Sequence, residues 1–344
     1  MVTNVLMARK GGWRRLGSKG RFRYVDSGGK PIADESKLAR IETLAIPPAW
    51  KDVWISPRAS AKLQATGVDA AGRRQYLYHP EYRARQEQAK YDNLIRFAEA
   101  LPNLRAAMAE HMERDTYDRL RVSAIAVRLI DQTWFRPGSE RYARESRTYG
   151  VTTLSRRHVS VRGNTIAFRF RGKHKVLVRT AFVDAELADA MRDLIELPGG
   201  RRVFRYEEEG TIFNLHSRRL NEYIAEYLGE EFSAKDFRTW GGTLLAAIAF
   251  AERGTPESEA DAKRRTAVVM KRVAERLGNT PAVTRASYVS PAVVEQYLDG
   301  RTIEDFRPRH LRVVAARDIG LDIEEEALLS LLRSWRIRRA RAAA

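Results

Sequence analysis

The hydrophobic periodicity of this chain changes near residue 86, and that change limits the folds open to it. After Gln86, the residues Leu94, Phe97, Ala98 and Leu101 fall at i, i+3, i+4 and i+7, the spacing of one buried helix face. Further helices are expected at about 109–135, 184–196, 213–228, 234–252, 258–277 and 322–341. Before residue 86 the chain is rich in Gly, Pro and basic residues, with short candidate strands at Val53 to Ile55 and Arg74 to His79. The expectation is an α+β protein with a β-rich domain over 1–85 and a larger, mainly helical domain over 86–344. A chain of 344 residues is long enough for two such domains, and neither an internal repeat nor a long linker separates them.

One stretch inside the helical part has period two instead. Ile166, Phe168 and Phe170 alternate with Ala167, Arg169 and Arg171, giving one apolar and one basic strand face. Gly172 offers a turn, and Val176 and Val178 continue the alternation on a return strand.

Charge narrows the partner. With 62 Lys and Arg against 44 Asp and Glu, the formal charge is +18, which suits a polyanion without naming it. The absence of cysteine removes disulfides, thiolate metal sites and cysteine nucleophiles together. Residues 1–10 hold only a short apolar stretch, so neither a leader nor a membrane span is expected and the cytosol is the default address. Glu207, Glu208 and Glu209 precede Gly210 as an exposed turn, while Glu324, Glu325 and Glu326 suit the positive end of a helix macrodipole. Neither run has the spacing of a metal cage, and the six histidines are scattered, so no metal or other cofactor is expected. Gly199-Gly200 and Gly241-Gly242 lack the Lys-Ser/Thr that would make a phosphate-cradling loop.

What remains is tyrosine, lysine and arginine chemistry on a phosphodiester. A phenol with a pKa of about 10 needs nearby cations to attack at neutral pH, and those cations also stabilise a five-coordinate phosphorus. Such a phenol stands at Tyr288, after Leu277-Gly278-Asn279-Thr280-Pro281 and Thr284-Arg285-Ala286-Ser287. Gly278 is expected to stop one helix, with Thr280 as N-cap and Pro281 as first residue of the next, so that Asn279 and Tyr288 flank a short helix.

Here the sequence resembles a family. Gly278-Asn279-Thr280-Pro281 leading to Tyr288, with Lys235-Asp236-Phe237-Arg238-Thr239 upstream, looks like the active-site region of type IB topoisomerases of the poxvirus and bacterial kind. Phe135 to Tyr142 and Tyr149 to Leu154 are similar to the family's first-arginine segment, and Phe170 to Lys175 to its catalytic-lysine hairpin. Gly72 to Tyr78 is similar to its DNA-contacting strand. The resemblance implies a monomer acting on duplex DNA as a bilobed clamp, nucleoid-associated in the cytoplasm, without metal or ATP. It implies Tyr288 as the nucleophile that joins the DNA 3′ end, Arg136 and Arg238 on the nonbridging oxygens, and Lys173 as the acid that protonates the departing 5′ oxygen. Lys235, three residues before Arg238, is a possible accessory acid. Asn279 stands where poxvirus-like members carry histidine, and an amide donates a hydrogen bond but cannot titrate. DNA contacts are expected from Arg73, Arg74, Tyr76 and Tyr78 and from Arg169, Arg171 and Lys175.

Two rival readings stay open from the sequence. Tyrosine recombinases use the same chemistry but carry histidine where this chain has Lys235, and their N-terminal module is usually helical. A noncatalytic DNA-binding protein needs no more than the charge. Taken singly, Arg238 could pair with Asp236, Arg136 could contact the preceding helix's last carbonyls, and Asn279 could be a plain helix cap.

Overall fold

The computed structural model describes residues 11–18, 20–307 and 320–342, with the side chains of 84–88 and 90 excepted. Residues 1–10, where neither leader nor span is expected, lie outside the described residues. The chain divides into two compact units, Met1–Lys90 and Tyr91–Ala344.

The first unit is built on one antiparallel sheet. Its strands are β1 (Trp13–Leu16), β2 (Arg23–Val25), β3 (Lys51–Ile55), β4 (Leu63–Val68) and β5 (Arg74–Tyr78), in the order β2-β1-β3-β4-β5. The helix α1 (Glu35–Thr43) starts where the Asp34 carboxylate accepts from the Lys37 backbone N–H. Its Ile41 joins Trp13, Val53, Ile55 and Ala65 in a small core. Gly67 is required there, because a Cβ would come within 2.6 Å of the Trp50 ring. On the edge strand β5 the period of two leaves Arg74, Tyr76 and Tyr78 exposed and Gln75 and Leu77 half-buried.

The 33-residue helix α2 (Pro80–Met112) contains the division between the units, and Leu94, Phe97, Ala98 and Leu101 are all buried, as their spacing requires. The helix expected at 109–135 is in fact the end of α2 and a second helix, α3 (Arg119–Thr133). Asp118 separates them by capping α3 at the Arg121 N–H, a short polar side chain competing for backbone donors. There follow α4 (Glu140–Glu145), the sheet β6 (Val159–Arg162), β7 (Thr165–Arg171) and β8 (Leu177–Val183), and α5 (Ala185–Glu196). The helix expected from 213 begins later, as α6 (Ser217–Leu228), because Thr211–Asn214 pairs as β10 with β9 (Arg205–Glu208) around Glu209 and Gly210, both at positive φ. The chain continues through α7 (Ala234–Ala251), α8 (Glu259–Leu277), α9 (Pro281–Ser287), α10 (Pro291–Leu298) and α11 (Ile323–Ala342).

Helix α7 is buried on almost every side, which makes it the axis around which the other helices pack. Phe237 and Trp240 on α7 meet Phe97 of α2, the first pair edge to face with centroids 5.1 Å apart. The Trp240 indole N–H donates to Glu325 at 2.9 Å, and Arg105 bridges Glu325 to Asp131. The acidic start of α11 is therefore more than a match to the macrodipole: Glu325 is a buried carboxylate tying four helices together. No helix among the described residues is long and apolar enough to cross a membrane.

Candidate active site

Arg238 lies on the axial helix, one turn after its start. The Ser233 backbone N–H and hydroxyl both donate to Asp236, which fixes that start and occupies the carboxylate that could otherwise pair with Arg238. Arg238 is 4% exposed, and its guanidinium donates instead to two carbonyls, Trp134 O at 2.5 Å and Leu277 O at 2.8 Å. These carbonyls end α3 and α8, where unpaired C=O groups and the negative ends of two helix dipoles face a cation. The alternative weighed for Arg136, a contact with the end of α3, is met by Arg238 instead.

Close approach to this helix depends on two glycines one turn further on. A Cβ on Gly241 would lie 2.3 Å from the Trp134 indole, and one on Gly242 would lie 2.6 Å from the Tyr288 carbonyl oxygen. The neighbouring Thr243 hydroxyl donates to Thr239 O at 2.7 Å and accepts from the Ser290 N–H at 3.1 Å, anchoring the chain just past Tyr288. Gly241-Gly242 reads from sequence only as a failed phosphate loop; its use is to let Trp134 and Tyr288 touch α7.

Arg136 sits in the segment that leaves α3. Trp134, at φ 54, turns the chain sharply, and Phe135 packs edge to face on Phe168 and Phe170 of β7. The Arg136 carbonyl accepts from Val151 N–H at 2.9 Å and the Pro137 carbonyl from Thr152 N–H at 2.7 Å, so the 150–153 turn holds the backbone at the arginine and the residue after it. Gly150 permits this, since a Cβ there would meet Arg136 O at 2.4 Å. The Arg136 side chain donates to Asn279 Oδ1 at 2.6 Å.

The 277–288 segment folds as its residues dictate. Gly278 takes the left-handed conformation, φ 61, and the Asn279 N–H bonds back to Ala274 O at 2.9 Å. The cap is therefore Gly278 plus a backbone donor, and the Asn279 side chain is not used in it. Thr280 caps α9 at the Val283 N–H, Pro281 opens it, and Tyr288 closes it with its own N–H on Thr284 O at 2.9 Å.

Lys173 lies in the turn between β7 and β8 and is exposed. Ile166, Phe168 and Phe170 are buried and Arg169 and Arg171 exposed, as the alternation requires. The return strand differs from expectation: Val176 belongs to the turn and is exposed, while Val178, Thr180 and Phe182 form the inward face of β8. Gly172 has ordinary φ, and the left-handed positions are His174 and Lys175. A cleft of about 180 Å³ is lined by Lys173, Gly172, Arg136, Arg238 and Trp134.

The electrostatics centre on Tyr288. Burial raises the pKa of its half-buried phenol, but the charges of Arg238, Arg136 and Lys173 outweigh burial and hold it below its ordinary value. The Arg238 guanidinium lies over the ring, 5.1 Å from its centroid. Burial and the like charge of Arg136 bring Arg238 itself down to about 10, and burial also lowers Arg136. Two guanidiniums side by side with no carboxylate between them form a receptor for an anion with several oxygens.

Of the other expected residues, Lys235 is exposed in the first turn of α7, one turn before Arg238. Arg169, Arg171 and Lys175 line a second, open groove with Arg147, Tyr149 and Arg157. Arg74 pairs with Asp52 at 3.0 Å and Arg73 with Asp69 at 2.8 Å, whereas Tyr76 and Tyr78 stack, exposed, with centroids 6.2 Å apart. Sequence reasoning missed the two carbonyls that hold Arg238, since any residue supplies one. It also missed Thr243, for which only the proximity to Arg238 on a helix gives a signal.

Residues 79–307 match the family described as eukaryotic DNA topoisomerase I, catalytic core, and residues 21–69 match bacterial DNA topoisomerase IB, N-terminal domain. The chain is similar to DNA topoisomerase 1B of Acanthamoeba polyphaga mimivirus, with 32% identity over 82% of this chain and 86% of that one. It is also similar to DNA topoisomerase 1B of Vaccinia virus (strain Western Reserve), with 24% identity over 78% of this chain and 85% of the viral one.

Proposed function

The chain belongs to the type IB DNA topoisomerases and relaxes supercoiled duplex DNA, and we propose that it does so through Tyr288, with Arg136, Arg238, Lys173 and Asn279 as its partners. The observation that carries this reading is the Arg238 guanidinium over the Tyr288 ring, 5.1 Å from its centroid, beside a cleft lined by Arg136, Arg238 and Lys173, whose charges hold the phenol below its ordinary pKa. Tyr288 Oη attacks a backbone phosphorus, the bond to the 5′ oxygen breaks, and the enzyme is left joined to the DNA 3′ end. Arg136 and Arg238 neutralise the nonbridging oxygens as charge gathers on them, and the Asn279 amide donates to one of the same oxygens. Lys173 delivers a proton to the departing 5′ oxygen, a role suited to a mobile ammonium on an exposed turn. Lys235, exposed in the first turn of α7, serves as an accessory in that transfer.

Because the phosphotyrosyl ester conserves the energy of the broken bond, the 5′ hydroxyl reverses the reaction without ATP or metal. Between cleavage and rejoining, the downstream duplex swivels about the intact strand and supercoil strain drives net relaxation. One tyrosine cuts one strand, so a monomer suffices. We read the two units as jaws of a bilobed clamp, with Arg73, Arg74, Tyr76 and Tyr78 meeting DNA from one and Arg169, Arg171 and Lys175 from the other. The place of work follows from the substrate, the nucleoid of the cytoplasm. The test is relaxation of a supercoiled plasmid carrying no added sites, in chelator and without nucleotide. Relaxation by the wild-type chain and none by Tyr288→Phe is the expected result; activity confined to a paired recombination site would contradict it.

A further inference from the structure

Asn279 does two things at once with one amide, and the second is not implied by its place in the motif. Its Oδ1 accepts from Arg136 at 2.6 Å, while its Nδ2 is buried without a hydrogen-bond partner among the described residues. The helix end beside it is capped by the Gly278 conformation and the Asn279 backbone N–H, so the side chain has no local structural duty. Arg136 needs a fixed acceptor, because it stands close enough to Arg238 for the like charges to depress the latter's pKa. A carboxylate at that position would hold Arg136 but also neutralise it and repel the phosphate. A neutral carbonyl holds the guanidinium and leaves its charge intact.

We infer that Asn279 is a positioning residue for Arg136, its carbonyl fixing the arginine in the site while its N–H remains free for the phosphate. The inference rests on the assignment of Tyr288 and its partners given above. It makes Asn279 and Arg136 one functional unit in place of two independent phosphate contacts, and it distinguishes an amide from the histidine of the poxvirus-like members. A neutral imidazole can accept on one nitrogen and donate on the other; a protonated one is a donor only and can no longer hold Arg136.

Two readouts test it, both as single-turnover formation of the covalent adduct on supercoiled plasmid with enzyme in excess. The first is a double-mutant cycle. Loss of a hydrogen bond to a charged group predicts that Asn279→Ala slows adduct formation by about tenfold or more in the wild-type background. In the Arg136→Ala background the same change should cost about twofold or less, because its partner is gone. Equal costs in the two backgrounds overturn the inference.

The second readout is the pH profile of Asn279→His, taken relative to wild type at each pH. The groups facing residue 279 and the cleft beside it are Arg136, Arg238, Lys173, Arg276, Glu275 and Tyr288. Positioning through Arg136 predicts that the relative rate falls as pH drops and the imidazole takes up its proton. A residue acting only as a phosphate donor predicts the reverse, since imidazolium is the better donor, and a rise on acidification would overturn the inference even if the cycle could not be completed for want of folded Arg136→Ala. The adduct is mapped in the wild-type reactions. A wild-type adduct at Tyr288 with additive costs sinks this inference alone; an adduct elsewhere sinks it together with the reading on which it rests.

Discussion

The floor of the site and its lysine turn are built on opposite principles. On the floor, Arg238 is buried and tied to two helix-end carbonyls, Arg136 is tied to Asn279, and Tyr288 is pinned against Gly242. Across the cleft, Lys173 is exposed on a turn whose next two residues are left-handed. The difference corresponds to two kinds of work. Stabilising charge on phosphorus is most effective when donors need no reorganisation as the reaction occurs. Delivering a proton to a leaving oxygen needs reach, and a long side chain on an exposed turn has it.

If the floor is preorganised, Arg238→Ala should have the largest effect, slowing adduct formation by about 10² to 10³-fold, the usual cost of one lost oxyanion donor. A 5′-sulfur leaving group should not restore it. Lys173→Ala should cost about 10²-fold and be largely restored by the same sulfur, which leaves without needing a proton. Rescue of both variants, or of neither, would erase the distinction between floor and turn. Asn279→Ala should fall below Arg238→Ala in cost, and the reverse order of rates would contradict the ranking.

Gly242→Ala tests the fit of the floor itself. Its new Cβ would lie 2.6 Å from the Tyr288 carbonyl, and overpacking of this kind costs about 1–3 kcal/mol of stability. We expect a lowered Tm and a several-fold slower adduct, while Lys173-dependent sulfur rescue is unchanged. In wild type, the rate limited by phenol ionisation should rise with pH and level off below pH 10, because the arginines and Lys173 hold Tyr288 under its ordinary pKa. A plateau only above 10 would mean that burial prevails over those charges.

The smallest effect on rate, none near neutral pH, is expected at His158, just before β6. His158 is packed against Tyr149, and burial with the Arg157 and Arg202 charges lowers its pKa to about 4. Its unfolded value is near 6.5, so the folded chain binds fewer protons between these limits and stability is lost as pH falls from about 6.5 to about 4. His158→Gln should flatten that part of a Tm-against-pH curve.

Much of the floor was readable because its signals are local. Gly278, Thr280 and Pro281 act on the backbone within a few residues, so the short helix between Asn279 and Tyr288 follows from sequence. The strand faces at Arg74 to Tyr78 and Ile166 to Arg171 follow from the pleat. One local signal escaped, Asp118, which breaks an otherwise helical pattern by capping. The rest depends on tertiary contact: Glu325 looks like one of three acids suited to a helix start until Arg105 and Trp240 arrive from distant parts of the chain. The carbonyls ending α3 and α8 hold Arg238, and Asn279 holds Arg136, but nothing local says which arginine reaches Trp134 O.

The central claim is that the preorganised floor serves Tyr288 as nucleophile. Trapping the enzyme on supercoiled plasmid with detergent, digesting both polymers and sequencing the nucleotide-bearing peptide tests it most directly. The account predicts one modified residue, Tyr288, carrying a 3′-phosphate linkage, and no adduct from Tyr288→Phe. A nucleotide on any other residue, or relaxation retained by Tyr288→Phe, would contradict it.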